Sequence, residues 1–288
     1  MLTVLAPAKI NLTLEVLAKR PDGFHEIRSV IQTINLCDSF HLQLSENIEL
    51  KSSMSDWVSE ASLVSKTIGL LQESTGCGKG AAVKIEKRIP LVSGLGGDSS
   101  DAAAILHGLN RLWELGLSQE ELIGLARQLG SDVVFFFYGG TALLEGRGER
   151  VTPLPLLPHM WVVLMMPPMP SLQRKTERLY TSLKASHYTD GQITDRLVTQ
   201  LAGGGGVTSS MVFNVFDKVA LENFAGLEAY WQQFLQARAG EVHLAGSGPA
   251  LFTLVKDKAE AERIHRHLQQ QELESYLADT LPVIDKIG

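Results

Sequence analysis

The chain has 288 residues, of which 44% are hydrophobic and 20% are charged, and its formal net charge at pH 7 is −6. This composition is typical of a soluble globular enzyme with one large domain or two medium ones. The negative charge argues against a nucleic acid or an anionic membrane as partner.

The cysteine content and hydropathy limit the cellular setting. Two cysteines, Cys37 and Cys77, are too few for a disulfide framework or a metal cluster, and they fit a reducing compartment as free thiols. No apolar run approaches the ~18 residues that a membrane span needs. The first predicted strand begins close to Met1, which leaves no space for a signal peptide. We therefore expect a cytoplasmic protein that does not associate with membranes.

The first predicted strand places two polar residues side by side. Ile10, Leu12, Leu14 and Val16 alternate with Asn11, Thr13 and Glu15, which is the period of a half-buried strand. Ile10 then enters the core while Lys9 and Asn11 project to the polar face. By itself, a lysine at such a position is usually a solvated charge at the edge of a sheet.

Further elements follow from periodicity and turn signals, and their mixture in each half favours an α+β fold. Three prolines between 153 and 158 indicate a crossing between domains, so we predict domains of residues 1–158 and 159–288. Residues 203–206 are interpreted as a flexible glycine loop rather than a binding nest. Strands are predicted over 40–44, 83–89, 141–144, 161–166, 242–244 and 251–255, and helices over 63–71, 105–112, 118–129 and 261–268.

The segment from Pro90 to Ala104 is the strongest functional signal. Three glycines and a Ser99–Ser100 pair lead into a helical pattern, and free backbone N–H groups at a helix N-terminus bind phosphate. The segment lacks the Gly-Lys-Ser/Thr of a Walker A loop and the third glycine of a dinucleotide fingerprint. The alternative is an ordinary capped helix. The candidate nucleotide-binding residues are Pro90, Leu91, Val92, Ser93, Gly94, Leu95, Gly96, Gly97, Asp98, Ser99 and Ser100.

Carboxylates in and beyond this segment need a separate explanation, since an anion repels a triphosphate. We expect Asp101 to cap the helix and leave Asp98 open between capping and a role through Mg²⁺. Ser99 or Ser100 would touch the ion or a phosphate, and the metal ligands are otherwise unassigned. Asp132 lies between a helix stop and the apolar run 133–137, where capping is favoured over burial in a pair.

Several segments resemble motifs of the GHMP small-molecule kinases. Three of them match in order and spacing, a fourth matches the late glycine loop of that family, and the resemblance runs from about residue 5 to about residue 255. A further segment, 19–27, is similar to the cytidine-recognition segment of one branch of the family. The four matching segments are Pro7–Leu12, Ser93–Ala103, Gly130–Val133 and Ala245–Pro249.

The resemblance implies a two-domain fold with the active site in the cleft between the domains. It implies ATP and Mg²⁺ as cofactors, and as acceptor the 2-hydroxyl of a cytidine-diphosphate-linked methylerythritol in non-mevalonate isoprenoid synthesis. Asp132 would be the general base, Lys9 would stabilise charge on the transferring phosphoryl group, and Asn11 would bind the substrate. Oligomeric state is not implied.

Phe24 and His25 distinguish this acceptor from others. By resemblance Phe24 would stack on cytosine and His25 would read the base edge, whereas the alternatives are a loop anchor and a structural hydrogen bond. An acceptor without a base has no use for this pair, which argues against homoserine kinase, mevalonate kinase and diphosphomevalonate decarboxylase. A catalytically inactive regulator has no reason to keep Lys9 and Asp132.

The chain departs from the family pattern at several positions. Phe24 replaces the usual Tyr, Ser131 and Val134 flank Asp132 where Ala and Pro are common, and a changed segment, 62–64, puts the adenine-side contacts in doubt. The usual Ser-Thr pair is displaced to 175–176. The loop 246–248 either lines the diphosphate of the substrate or only turns a hairpin.

Overall fold

The computed structural model describes residues 1–55, 57, 62–170, 172–237 and 239–282. This part of the chain forms two β-sheets with helices packed around them, which confirms the α+β class. Within these residues no helix is both long and apolar enough to cross a membrane. The last residues of the second predicted domain, 283–288, lie outside the description.

A large mixed sheet and a smaller antiparallel sheet organise the described residues. In the large sheet β4-β5-β3-β2-β9 lie side by side, β1 and β6 also pair with β3, and β7 pairs with β6. The small sheet has the order β10-β11-β8-β12. The strands are β1 (Leu2–Asn11), β2 (Thr13–Lys19), β3 (His25–Ser45), β4 (Ile48–Ser52), β5 (Gly80–Glu86), β6 (Thr141–Gly146), β7 (Arg150–Pro153), β8 (Trp161–Met166), β9 (Phe213–Asn214), β10 (His243–Leu244), β11 (Leu251–Val255) and β12 (Glu274–Asp279).

One group of helices packs on the large sheet and another packs around the small sheet, and one further helix packs in the core between the sheets. The helix that follows the glycine-rich segment, α2, begins at Gly97, and the capping box predicted at Ser118 is present at the start of α3. The helices are α1 (Leu63–Thr75), α2 (Gly97–Leu112), α3 (Gln119–Leu129), α4 (Ser131–Tyr138), α5 (Lys175–Ser182), α6 (Gln192–Ala202), α7 (Asp217–Asn223), α8 (Leu227–Gln236) and α9 (Lys258–Gln270).

A bulge in the first strand decides which way its side chains face. Pro7 pairs with Cys37 of β3 but Ala8 pairs with Ile34, so the register slips between these two residues. Such a slip reverses the faces of the residues that follow. Val4 accordingly packs with the helices on the large sheet, whereas Ile10 packs in the core between the two sheets. Lys9 and Asn11 therefore face the side of the sheet on which α2 and α4 begin.

The observed elements extend those predicted from the sequence. The predicted strand 40–44 is the end of β3, a strand of 21 residues that binds β1, β2, β5 and β6. The strand predicted over 83–89 ends at Glu86. The helices α5 to α8 had no counterpart in the prediction. The division near residue 158 stays a prediction; β9, from beyond it, pairs in parallel with β2.

Two helical glycines test the packing of α2 on the large sheet. A Cβ at Gly108 would lie 2.3 Å from Leu42 Cδ1 in the core, whereas a Cβ at Gly124 in α3 would meet nothing within 4 Å. We expect Gly108→Ala to lower the free energy of unfolding by about 1–2 kcal/mol, because the collision outweighs the gain in helix propensity. Gly124→Ala is the matched control and should be about 0.5–1 kcal/mol more stable than the wild type. Urea unfolding of both variants checks the difference, and equal stabilities would contradict the packing described.

Candidate active site

A cleft of about 920 Å³ is lined by residues from both halves of the chain. Strands β1 to β3 supply one wall, the start of α4 and the β6–β7 turn supply a second, and α5 with the loop 245–249 supplies a third. The cleft brings together five residues that the sequence singled out at separate positions: Lys9, Asn11, Phe24, His25 and Asp132.

A smaller cavity of about 140 Å³ adjoins this cleft and is formed by the glycine-rich segment. Gly96 is the N-cap of α2 with a φ of +75°, so the loop turns directly into the helix N-terminus. Leu95 and Ser100 are buried and do not line this cavity, and their part in nucleotide binding stays a prediction. The predicted residues that do line it are Pro90, Leu91, Val92, Ser93, Gly94, Gly96, Gly97, Asp98 and Ser99.

The glycine-rich loop packs directly on the late glycine loop, 245–249. A Cβ added at Gly94 would lie 1.9 Å from the carbonyl oxygen of Ala245, and one at Gly246 would lie 2.8 Å from the Gly94 carbonyl oxygen. The backbone N–H of Ala250 donates to the Ser93 carbonyl at 3.1 Å. The late loop thus turns the β10–β11 hairpin and also, through Gly246 and its neighbour, lines the cleft.

Lys9 and Asn11 are buried at the floor of the cleft, each with 5% of its surface exposed. The interpretation of Lys9 as a solvated charge at the edge of a sheet is therefore wrong. Lys9 Nζ donates to Asn11 Oδ1 at 2.8 Å, and Asn11 Nδ2 donates to Ser29 Oγ at 2.9 Å. Burial lowers the pKa of Lys9, and the negative charge of Asp132 opposes that shift. Lys9 and Asp132 therefore interact electrostatically.

Asp132 lies in the first turn of α4, whose N-cap is Gly130. The capping interpretation is therefore wrong, since Asp132 follows the N-cap instead of occupying it. A carboxylate in the first turn interacts favourably with the helix dipole. The same charge, added to burial, raises the pKa of the Tyr180 hydroxyl. Asp132 is thus partly buried, and it faces both a cation and a phenol.

The early turn presents an aromatic group to solvent. The Phe24 side chain is 54% exposed, and the guanidinium of Arg147 lies 4.6 Å from its ring centroid. A loop anchored in the core would bury this ring, so the alternative of a core phenylalanine is wrong. Phe24 therefore offers a flat apolar face at the edge of the cleft.

His25 is the first residue of β3 and stacks on an aromatic residue that the sequence analysis missed. Its ring centroid lies 4.8 Å from that of Tyr180, with an angle of 18° between the rings. The ring centroid of Tyr188 lies 6.1 Å away in an edge-on arrangement. Burial and the charge of Lys19 lower the pKa of His25. Tyr180 belongs to α5, an element that was not predicted, so nothing in the sequence connected it with His25.

Beneath the glycine-rich loop lies a buried ion triple. Lys87 Nζ contacts Asp38 Oδ2 and Asp101 Oδ2, each at 2.6 Å. The expectation that Asp101 caps α2 is wrong, because it lies one turn inside the helix and binds Lys87 instead. Burial raises the pKa of Asp101, and the charge of Lys87 opposes this shift. The triple ties α2 to β3 and to the end of β5 below the loop.

Two family models match the chain. The model described as GHMP kinases N terminal domain matches residues 62–140, and the model described as GHMP kinases C terminal matches residues 200–274. Together they span more than half of the chain. The chain belongs to the GHMP kinases, and it is a small-molecule kinase.

Within this family, two relatives from different bacteria have one name in common. The chain is 50% identical to 4-diphosphocytidyl-2-C-methyl-D-erythritol kinase of Dehalococcoides mccartyi, over 99% of this chain and 100% of that protein. It is 39% identical to the enzyme of the same name from Geobacillus thermodenitrificans, over 93% of each chain.

Solved structures agree on the fold. A crystal structure of 4-(cytidine 5'-diphospho)-2C-methyl-D-erythritol kinase superposes with a TM-score of 0.82 at 29% identity, covering 96% of this chain and 98% of that one. Homoserine kinase from Cytophaga hutchinsonii superposes with a TM-score of 0.74 at 19% identity, covering 100% of this chain and 96% of that one. The second likeness shows the fold alone.

The contact between the two glycine loops gives a direct test of the site. We expect Gly94→Ala to lower kcat/KM by about 10²-fold, because the new Cβ drives the loop away from the Ala245 carbonyl. Gly226→Ala is the control, since Gly226 has a φ of +88° against +90° at Gly94 but would meet nothing within 4 Å. The control separates the collision from the strain of a positive φ. Steady-state kinetics of both variants checks this, and equal activities would contradict the loop contact.

Proposed function

We propose that this kinase transfers the γ-phosphoryl group of ATP to the 2-hydroxyl of 4-diphosphocytidyl-2-C-methyl-D-erythritol. The observation that carries the proposal is the content of one cleft: a lysine and a carboxylate that sense each other's charge lie beside a glycine-rich loop and an exposed aromatic turn. Phosphoryl transfer depends mainly on positioning and on charge stabilisation, and these groups supply both.

Asp132 is proposed as the general base. The acceptor oxygen forms a bond to the γ-phosphorus while the bond from that phosphorus to the β–γ bridging oxygen breaks, and ADP leaves. Asp132 takes the proton of the hydroxyl as this bond forms. Its place in the first turn of α4, at the wall of the cleft that also holds Lys9 and Tyr180, supports this role.

Lys9 is proposed to stabilise the negative charge on the transferring group. Its side chain is fixed by the hydrogen bond to Asn11 and by burial, so no reorganisation is needed as charge develops. The backbone N–H of Lys9 also donates to the Leu95 carbonyl at 2.9 Å, which joins this strand to the glycine-rich loop. Asn11 is proposed to bind the acceptor through its amide.

The cytidine of the acceptor is proposed to bind at the aromatic turn. Phe24 has an exposed face, and stacking a base on such a ring is worth about 1–3 kcal/mol. His25, fixed against Tyr180, is proposed to read the edge of the base. The guanidinium of Arg147 over Phe24 adds a cation where a substrate diphosphate brings negative charge.

Mg²⁺ is proposed to accompany the nucleotide. No group of three or more His, Cys, Asp or Glu side chains suited to a metal occurs among the described residues. Mg²⁺ keeps several waters and uses one or two protein oxygens besides the phosphates. Asp98, exposed, and Ser99 bring oxygen donors to the loop cavity, so this donor set fits the ion. The ion would neutralise phosphate charge there.

An ADP-release assay with ATP and Mg²⁺ tests the function. It compares the cytidyl-methylerythritol acceptor with homoserine, mevalonate and galactose, and Lys9→Ala serves as the blank. We expect turnover with the cytidyl acceptor alone, lost in the blank. Turnover with another acceptor would leave the assignment as a kinase in place but overturn the proposed role of Phe24 and His25 in recognising the base. Nucleotide binding without turnover on any acceptor would favour a regulator.

Replacing the proposed base separates chemistry from binding. We expect Asp132→Asn to lower kcat by about 10²–10⁴-fold, because the amide cannot accept the proton, while the Kd for ATP stays close to that of the wild type. Glu222 is an exposed carboxylate in α7, and Glu222→Gln is the control for the loss of one negative charge. Rapid-quench kinetics and calorimetry measure the two quantities. An Asp132→Asn enzyme with full activity would remove Asp132 from this role.

Replacing the stacking ring tests base recognition. We expect Phe24→Ala to raise KM for the cytidyl acceptor by roughly 5- to 150-fold, because about 1–3 kcal/mol of stacking is lost. The Kd for ATP and the melting temperature should stay nearly unchanged, since the ring is 54% exposed. Leu221→Ala, at a residue 45% exposed, is the matched control. A lower melting temperature with unchanged KM would assign Phe24 to structure instead.

A further inference from the structure

The first residue of α5, Lys175, is a buried lysine that the proposed mechanism leaves unused. Only 8% of it is exposed, and its ammonium group faces inward. Nζ donates to the carbonyl oxygen of Val92 at 2.7 Å and also to the carbonyl oxygen of Gly248. One cation therefore joins a carbonyl of the glycine-rich loop to a carbonyl of the late glycine loop.

Two further features concern how the loops are held: the backbone conformation of Val92 and a second contact from the start of α5. Val92 has a φ of +54°, a left-handed conformation that costs energy for a β-branched residue and persists only where its surroundings hold it. Thr176, the next residue of α5, makes a side-chain hydrogen bond of 3.0 Å to Ser247 of the late loop. The start of α5 is thus fastened to both loops at once.

We propose that Lys175 is a positioning residue that clamps the glycine-rich loop onto the late glycine loop and so sets the geometry of the nucleotide phosphate site. The inference rests on the proposed function in that the clamped loop is taken to bind a nucleotide. It adds a role that depends on the charge of Lys175, since hydrogen bonds from a cation are stronger than those from a neutral amine.

The surroundings of Lys175 make this clamp responsive to pH. Burial lowers the pKa of Lys175 to about 7, and the positive charge of Lys9, on β1, adds to the shift. The other charged groups at the start of α5, Arg174 and Glu177, pair with each other at 2.7 Å on the exposed side. The negative charge of a bound polyphosphate opposes the effects of burial and of Lys9 and so raises the pKa of Lys175. The enzyme therefore takes up a proton at Lys175 when nucleotide binds near neutral pH.

Calorimetry of a non-hydrolysable ATP analogue measures this uptake. Titrations at pH 7.5 in two buffers of different ionisation enthalpy give the number of protons taken up, and the nucleotide contributes equally in every variant. We expect Lys175→Met to take up roughly half a proton less than the wild type and to bind with about a tenfold higher Kd. Lys256→Met, at an exposed lysine beyond β11, is the control and should match the wild type.

Lys175→Arg distinguishes a clamp that titrates from a merely structural lysine. Arginine keeps the charge and several donors but stays protonated throughout, so the analogue should bind within about threefold of the wild type without the extra uptake. Uptake that persists in Lys175→Arg or in a folded Lys175→Met would overturn the proposal. Because no acceptor is present, a wrong acceptor assignment leaves this test intact. Failure of the wild type to bind any nucleotide would contradict both the proposed function and the proposed role of Lys175.

Discussion

The packing of two glycine loops against each other is the constraint on which the site depends. At Gly94 and Gly246 the backbones approach so closely that neither position has room for a Cβ. This contact joins a loop that begins α2 to a loop between two strands of the small sheet, so both halves of the chain meet at the cleft. It also sets the depth of Lys9, whose Nζ would lie 2.9 Å from a Cβ at Gly246. A Cβ at Gly246 would therefore collide with both the glycine-rich loop and Lys9.

The bulge between Pro7 and Ala8 is the second constraint, because it decides which residues reach the cleft. Without it, Lys9 would face the small sheet and Ile10 would face the helices, against the burial that each requires. The bulge turns one strand into a support for two environments, with apolar packing against the helices before it and a polar cleft after it. The buried triple at Lys87 then fixes the other side of the loop by joining α2 to β3.

The sequence predicted those parts of the site whose signals are local. The glycine-rich loop and the capping box at Ser118 are each readable within a dozen residues, and the structure contains both. The alternation from Ile10 to Val16 predicted one half-buried strand, but residues 11–16 are all buried and the chain divides there into β1 and β2. The misassigned Asp101 has its partners 14 and 63 residues away in the chain, so a local pattern favoured a cap where an ion triple forms. The missed residues Lys175 and Tyr180 lie on a short, mostly polar helix without a clear apolar stripe, and only tertiary contacts give them a role.

The proposed reaction requires one cleft to hold the nucleotide phosphates, Lys9, Asp132 and the acceptor base together. A crystal structure of the ternary complex with a non-hydrolysable ATP analogue and the cytidyl-methylerythritol acceptor tests it most directly. We expect the γ-phosphate between the glycine-rich loop and Lys9, the acceptor 2-hydroxyl within hydrogen-bond distance of Asp132, and cytosine on the face of Phe24. An acceptor hydroxyl bound away from Asp132, or phosphates outside the loop cavity, would contradict it.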